Sequence, residues 1–173
     1  MEIKGTTIKK ELRELGHNTK KISVRVSHHG YGNTTIDVEI KDLSVDLRAV
    51  DKYLNQKYRE IRYDEHVQGE ILEGCNTFVR CNYEYDMFRN AVKANLPKAK
   101  KLIAEFEAED TYSGIEFFEN DHFKAYAFYK DKLISVHSKD EEDNNIYRRH
   151  VFYNEHDLAR ALLILDLYGN FGL

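Results

Sequence analysis

An α+β fold is predicted for this chain, on three observations. Apolar residues alternate strictly in Ile22, Val24 and Val26 and again in Ile36, Val38 and Ile40, around a glycine-containing loop, His28-His29-Gly30-Tyr31-Gly32-Asn33. Segments of helical spacing lie on either side of this hairpin. The second half then runs from a helical stretch through several short extended segments to a closing amphipathic helix. The expected architecture is an N-terminal αββαβ module with an antiparallel sheet, followed by a helical segment and a small antiparallel sheet closed by a C-terminal helix.

The elements follow in order. Thr6 or Thr7 is suited to cap a short helix over 8–15, with Gly16 as its stop; Ile8, Leu12 and Leu15 share one face. The two alternating strands come next. Asp46 caps a helix over 47–57 that buries Leu47, Val50 and Leu54. Residues 59–63 read as extended, Gly69 and Gly74 bracket a turn region, and 77–83 read as a strand with Phe78 inward. Asp86 suits the cap of a helix to Asn95, and Pro97 the first turn of another reaching Ala108, so a bend is expected at Asn95-Leu96-Pro97. Extended segments over 114–118, 122–129 and 132–138 follow. A fourth, over 145–153, comes after the charged loop Lys139-Asp140-Glu141-Glu142-Asp143. A helix over 155–168 carries Leu158, Ala161, Leu162 and Leu165 along one stripe. With 173 residues there is room for two small domains, and the change of pattern puts their boundary near 84–86, giving a module over 1–84 and a target-binding half over 85–173.

Composition narrows the function classes. A net charge of −4 argues against a general nucleic-acid coat protein, which is normally basic. Two cysteines, Cys75 and Cys81, are too few for a disulfide scaffold and point to a reducing compartment. No apolar run approaches the roughly 20 residues that span a bilayer, and Met1-Glu2-Ile3-Lys4-Gly5 has no signal-peptide character. The expected location is the cytoplasm, with no membrane partner. The 12 tyrosines suit either the edge of a small core or a contact surface.

Charge is segregated along the chain. Lys9, Lys10, Arg13, Lys20, Lys21 and Arg25, with Tyr31 at the hairpin tip, form a basic N-terminal set that could meet nucleic-acid phosphates or simply be the wet face of a helix. Glu105, Glu107, Glu109, Asp110, Glu116, Glu119 and Asp121 lie in a stretch with no Lys or Arg, interleaved with Phe106, Tyr112, Phe117 and Phe118. Carboxylates so spaced could imitate duplex phosphates and occupy a basic channel, or could be a solvated face. Catalytic signatures are missing from the sequence: no nucleophile elbow, phosphate loop or His-Glu-x-x-His. His122, His137, His150 and His156 sit among carboxylates, where an acid–base pair could form. Cys75 and Cys81 have no second cysteine pair, and His28 and His29 are adjacent on a hairpin, so no metal or other cofactor is expected.

One segment, 20–82, has family character. The series Ile22-Ser23-Val24-Arg25-Val26 and Gly30-Tyr31-Gly32-Asn33-Thr34-Thr35-Ile36-Asp37-Val38 resembles the large-polyvalent-protein-associated domains of bacterial conjugative elements and phages. Tyr63-Asp64-Glu65, Gly69-Glu70-Ile71-Leu72 and Gly74-Cys75-Asn76-Thr77-Phe78-Val79 are similar to a version from Firmicute mobile elements, with Cys75 where that pattern carries a second glycine. The resemblance covers about a third of the chain. It implies a mobile-element protein deployed against host defence, and stand-alone proteins with such a module include anti-CRISPR proteins acting on type II Cas9. The expected function is therefore non-enzymatic inhibition of a type II-A Cas9 or its guide-RNA complex, with guide RNA as a further contact. Two alternatives stand beside it: a nucleic-acid-binding accessory protein of conjugation, and a nuclease-like factor acting on guide RNA.

Overall fold

The computed structural model describes residues 3–62, 75–108, 114–119, 121, 123–128, 131–138 and 148–168. The fold is α+β, with helices and two small sheets in two compact units, Met1–Phe88 and Arg89–Leu173.

Unit 1 begins with α1 (Gly5–Glu14). Ile8 and Leu12 are buried as the helical spacing requires, but Leu15 is 54% exposed because it is the C-cap, already turned off the apolar stripe. The helix starts earlier than expected, and neither Thr6 nor Thr7 caps it: Lys4 is the N-cap and makes no side-chain cap bond. Its end is a Schellman motif. Gly16 adopts φ +88, and the N–H groups of Gly16 and His17 donate to the carbonyls of Arg13 and Leu12 at 2.9 Å each.

Strands β1 (Ile22–His28) and β2 (Thr34–Ile40) pair antiparallel with Ile22 opposite Ile40 and His28 opposite Thr34. Helix α2 (Leu47–Tyr58) follows, capped by Asp46, whose carboxylate accepts from the Ala49 N–H at 3.1 Å. Strand β3 (Thr77–Tyr83) then adds beside β2, with Thr34 level with Thr77. The sheet is accordingly mixed: β3 runs parallel to β2, which corrects the expectation of an antiparallel sheet. The reason is topological, since the β2–β3 connection passes through a helix and returns the chain in the same direction. The core consists of Ile8, Leu12, Ile22, Ile36, Val38, Ile40, Val45, Val50 and Leu54. On β3 it is Val79, Cys81 and Tyr83 that pack against this core; Phe78, expected inward, falls on the alternate face.

Two tethers shape the start of β3. Residues 59–63 were expected to be extended; Glu60 makes a single antiparallel bridge to Thr77. Asn76, fully buried, accepts from the Arg62 N–H at 2.6 Å through its side chain, and its own N–H donates to Asn33 Oδ1 at 2.9 Å, which ties the hairpin to β3. Cys75, just before, has φ +54, a left-handed conformation that glycine adopts more readily. The turn expected around Gly69 and Gly74 lies outside the described residues.

Helix α3 (Tyr85–Ala108) is continuous where two helices with a break were expected, and the division between the two units falls within it. Its start is capped by Glu84, which accepts from the Met87 N–H at 2.7 Å, and not by Asp86. Pro97 lies inside it. Its missing N–H removes one helix hydrogen bond, a cost of about 3 kcal/mol that the flanking helical residues absorb.

Unit 2 contains an antiparallel meander of β4 (Ile115–Glu119), β5 (Phe123–Phe128), β6 (Leu133–Ser138) and β7 (Arg148–Val151), in that order across the sheet. The charged loop over 139–143 lies outside the described residues. Ala125, Ala127, Ile134 and Val136 are buried on one sheet face. Helix α4 (Glu155–Tyr168) buries the expected stripe and also Ala159 and Leu163, so it is apolar around most of its circumference. Ion pairs Lys98–Asp166 (3.2 Å) and Lys100–Glu155 (3.6 Å) join α3 to α4. No helix among the described residues is long and apolar enough to cross a membrane.

Candidate functional site

Two of the acidic candidates, Glu116 and Glu119, share one face of the unit 2 sheet, and a β-bulge puts them there. Ile115 pairs with Ala127 and Glu116 with Tyr126, but Phe118 pairs with Ala125 and Glu119 with Lys124, so the register slips by one residue between Glu116 and Phe118. Without that slip, strict alternation would send Glu116 and Glu119 to opposite faces. With it, both share the face of Lys124 and Tyr126, away from buried Ala125 and Ala127. Lys124 Nζ lies 3.4 Å from both Glu116 Oε2 and Glu119 Oε1. The hydrogen bond to Glu116, with the charges of both carboxylates, raises the Lys124 pKa. Burial and a hydrogen bond to Glu116 likewise raise that of the Tyr126 hydroxyl.

The same face continues onto β6. Ser135 lies opposite Tyr126 and His137 opposite Lys124; the Ser135 hydroxyl is 2.8 Å from His137 Nε2, and the Tyr126 ring meets the imidazole edge-on at 5.2 Å. A serine and an imidazole at this distance have the separation of a nucleophile and its base. Ser135 is only 4% exposed, however, so its hydroxyl is not offered to a substrate and the contact braces the sheet. The pair was legible as Ser-x-His on one strand face, a signal the sequence reading passed over. His150, on β7, has its pKa lowered by burial and by the neighbouring Arg160 charge, against the opposing effect of Asp157. His156 is exposed on α4, and His122 lies outside the described residues.

The remaining acidic candidates are less concentrated. Glu105 sits on α3 and is 3.6 Å from Lys101 one turn earlier. Glu107 is in α3 by its backbone, but its side chain, and Glu109 and Asp110, lie outside the described residues, as do Phe106 and Tyr112 as side chains. Asp121 is exposed just beyond β4. A stretch that is free of cations along the chain is thus partly neutralised in space: Glu105 by its helical neighbour and Glu116 and Glu119 by the cross-strand Lys124.

In unit 1 the basic candidates do not form one surface. Lys9 lines a groove of about 520 Å³ with Lys4, Thr6 and His28. Lys10 pairs with Glu14 at 3.9 Å, Lys21 with Asp42 at 3.4 Å, and Arg13 is exposed at the end of α1. Lys20 is exposed in the short turn before β1, where its N–H donates to Asn18. Arg25 lies opposite Asp37 on the sheet face away from the core. The Tyr31 side chain lies outside the described residues.

One charged cluster in this unit went unread in the sequence. Glu11 on α1 accepts from the hydroxyls of Tyr53 (3.1 Å) and Tyr58 (2.5 Å) and pairs with Lys57 at 2.8 Å, all on α2. Burial raises the Glu11 pKa, but the bonds from Lys57, Tyr58 and Tyr53 outweigh it, so the carboxyl is held below its ordinary range. Burial and the bond to Glu11 push the Tyr58 hydroxyl up to about 12. This is a brace between helices. Burial also raises the Cys81 pKa, keeping that thiol unreactive at neutral pH. Among the described residues no group of three or more His, Cys, Asp or Glu could hold a metal ion.

Comparison with known proteins gave no matching family model, no matching curated protein and no matching solved structure.

Proposed function

We propose that this protein is an anti-CRISPR inhibitor of a type II-A Cas9 ribonucleoprotein, made by a phage or conjugative element, and that it works by binding and not by catalysis. The observation that carries the mechanism is the bulged β4, which presents Glu116 and Glu119 on one sheet face, with Asp121 exposed directly after. Such a surface suits a groove lined with Lys and Arg that otherwise receives guide RNA or target DNA. Lys124 sits between the two glutamates, so a basic partner would compete with it for the same carboxylate oxygens. The resemblance of 20–82 to mobile-element modules supports the biological setting. Direct nucleic-acid binding by unit 1 is the weaker reading, because Arg25 faces away from α1 while Lys10 and Lys21 already hold carboxylates.

The test is co-purification of tagged protein with Cas9, with and without guide RNA. Retention of Cas9, lost on combining Glu116→Lys with Glu119→Lys, is the expected result. No retention in either condition, together with direct, salt-sensitive binding to RNA alone in a gel shift, would replace this reading with the conjugation-accessory one.

A further inference from the structure

We propose that the face of the unit 1 sheet turned away from α1 and α2 binds a short stretch of single-stranded nucleic acid. This goes beyond the Cas9 reading, because it uses the other unit and a contact the protein makes by itself. Val24 and Val26, Ile36 and Val38, and Val79 and Cys81 all turn toward the core and the two helices. Alternation therefore sends Arg25, Asp37 and Arg80 to the opposite face. They form one row across the sheet, with Arg25 opposite Asp37 and Asp37 level with Arg80. The next row is Ser27, Thr35 and Phe78. The lysines of α1 take no part in this surface.

The two arginines are uncommitted. Both are exposed, and among the described residues neither guanidinium holds an ion pair or a hydrogen bond, not even across to Asp37. Neighbouring strands stand about 4.8 Å apart, so the two backbones that carry them are separated by roughly 10 Å with β2 between. Asp37 lies half-buried on the floor of that strip. Glu39, on the row beyond, already has Lys41 at 3.8 Å. The ring of Phe78 is half-buried and has no aromatic partner among the described residues.

These features choose between occupants. Guanidinium forks hold phosphate oxygens in pairs, and two of them suit a backbone that crosses the strip. Phe78 offers a face on which one base can stack, which a single strand presents and a duplex hides. Asp37 between the forks accepts from an exocyclic amino group, such as that of cytosine. An acidic peptide would set its own carboxylates against Asp37 and find no aliphatic pocket to anchor it.

The experiment is fluorescence anisotropy of the purified protein with a labelled ten-residue oligocytidine RNA, between about 50 and 200 mM salt. An RNA duplex of mixed sequence and a heptaglutamate peptide serve as competitors. Two phosphate contacts predict that log K falls against log salt with a slope of about −1.4. Arg25→Gln and Arg80→Gln should each bring the slope to about −0.7 and weaken binding by about tenfold, with the unfolding midpoint unchanged. Phe78→Leu should weaken binding by about fivefold or more and leave the slope alone. Lys52→Gln, exposed on α2, should change neither quantity. The proposal is overturned if the oligocytidine does not bind at the lowest salt, or if the duplex or the peptide displaces it as well as unlabelled oligocytidine does. It is overturned equally if both arginine variants bind like wild type, or if Lys52→Gln weakens binding as much as they do.

Discussion

Each unit of this molecule sets carboxylate beside lysine, and the two do opposite things with the pair. In unit 1, Glu11 is folded between α1 and α2, only 19% of its side chain is exposed, and two tyrosine hydroxyls and Lys57 use up its oxygens. In unit 2, Glu116 and Glu119 share Lys124 on a sheet face, with 37% and 46% of their side chains exposed. The residue types are nearly the same. What separates a brace from a candidate contact surface is the number of donors on each carboxylate and its access to solvent. An exposed pair contributes only about 0–1 kcal/mol, so a partner can displace it, whereas breaking the Glu11 cluster strands several polar groups at once.

Several substitutions sharpen or break that contrast. The largest effect is expected from Leu12→Ala, which empties a fully buried site beneath the α1–α2 brace and should cost about 2–5 kcal/mol. Denaturant unfolding measures it, and a loss below about 1 kcal/mol would mean that α1 is not part of the unit 1 core. Glu11→Gln should cost about 1–3 kcal/mol, since hydroxyl and ammonium donors lose their charged acceptor. Glu116→Gln should stay within about 0.5 kcal/mol. Equal costs for the two would erase the distinction drawn between the units.

Acid should separate the units by pH window. Glu11 has a folded pKa below the ordinary 4.5, so its contribution is present above that value and is lost as pH falls through the lowered folded pKa. His150 also has a folded pKa below its ordinary 6.5, since burial and Arg160 favour the neutral ring. Its unfolded form takes up protons first, so unit 2 loses stability as pH falls below 6.5, before unit 1 is affected. Hydrogen exchange at β6 and β2 across pH 7 to 4 reads the two separately, and His150→Gln should flatten the β6 response between pH 6.5 and 5. The smallest effect concerns Cys75. Cys75→Gly relieves a left-handed backbone and should be neutral to stabilising, by up to about 1 kcal/mol, in thermal unfolding. The Cys75 thiol lies over Gly32, where a Cβ would stand 2.8 Å from its sulfur, and a clear destabilisation would show that this packing outweighs the strain.

Much of the fold was legible because periodicity reports it directly. The alternation of Ile22 to Ile40, the Asp46 cap and the 155–168 helix correspond closely to the observed elements. The misses have physical causes. The parallel direction of β3 is set by a crossover and not by any residue in the strand, and Pro97 was read as a boundary although the helix tolerates it. The candidate sites were less legible still. Lys124 meets Glu116 and Glu119 only through cross-strand register, and the bulge that aligns them depends on a one-residue slip that strict alternation cannot reveal. The row of Arg25, Asp37 and Arg80 likewise depends on register across three strands.

The central claim is that the carboxylates on the bulged face of unit 2 make the contact with Cas9. Lys124 provides its most direct test, because it is the cation that already occupies them. The measurement is the Kd of Lys124→Gln for the Cas9–guide RNA complex at physiological salt, beside wild type. Tighter binding, together with weaker binding by Glu116→Lys, is the result predicted. Binding by Lys124→Gln that is unchanged or weaker, with Glu116→Lys indistinguishable from wild type, would contradict it.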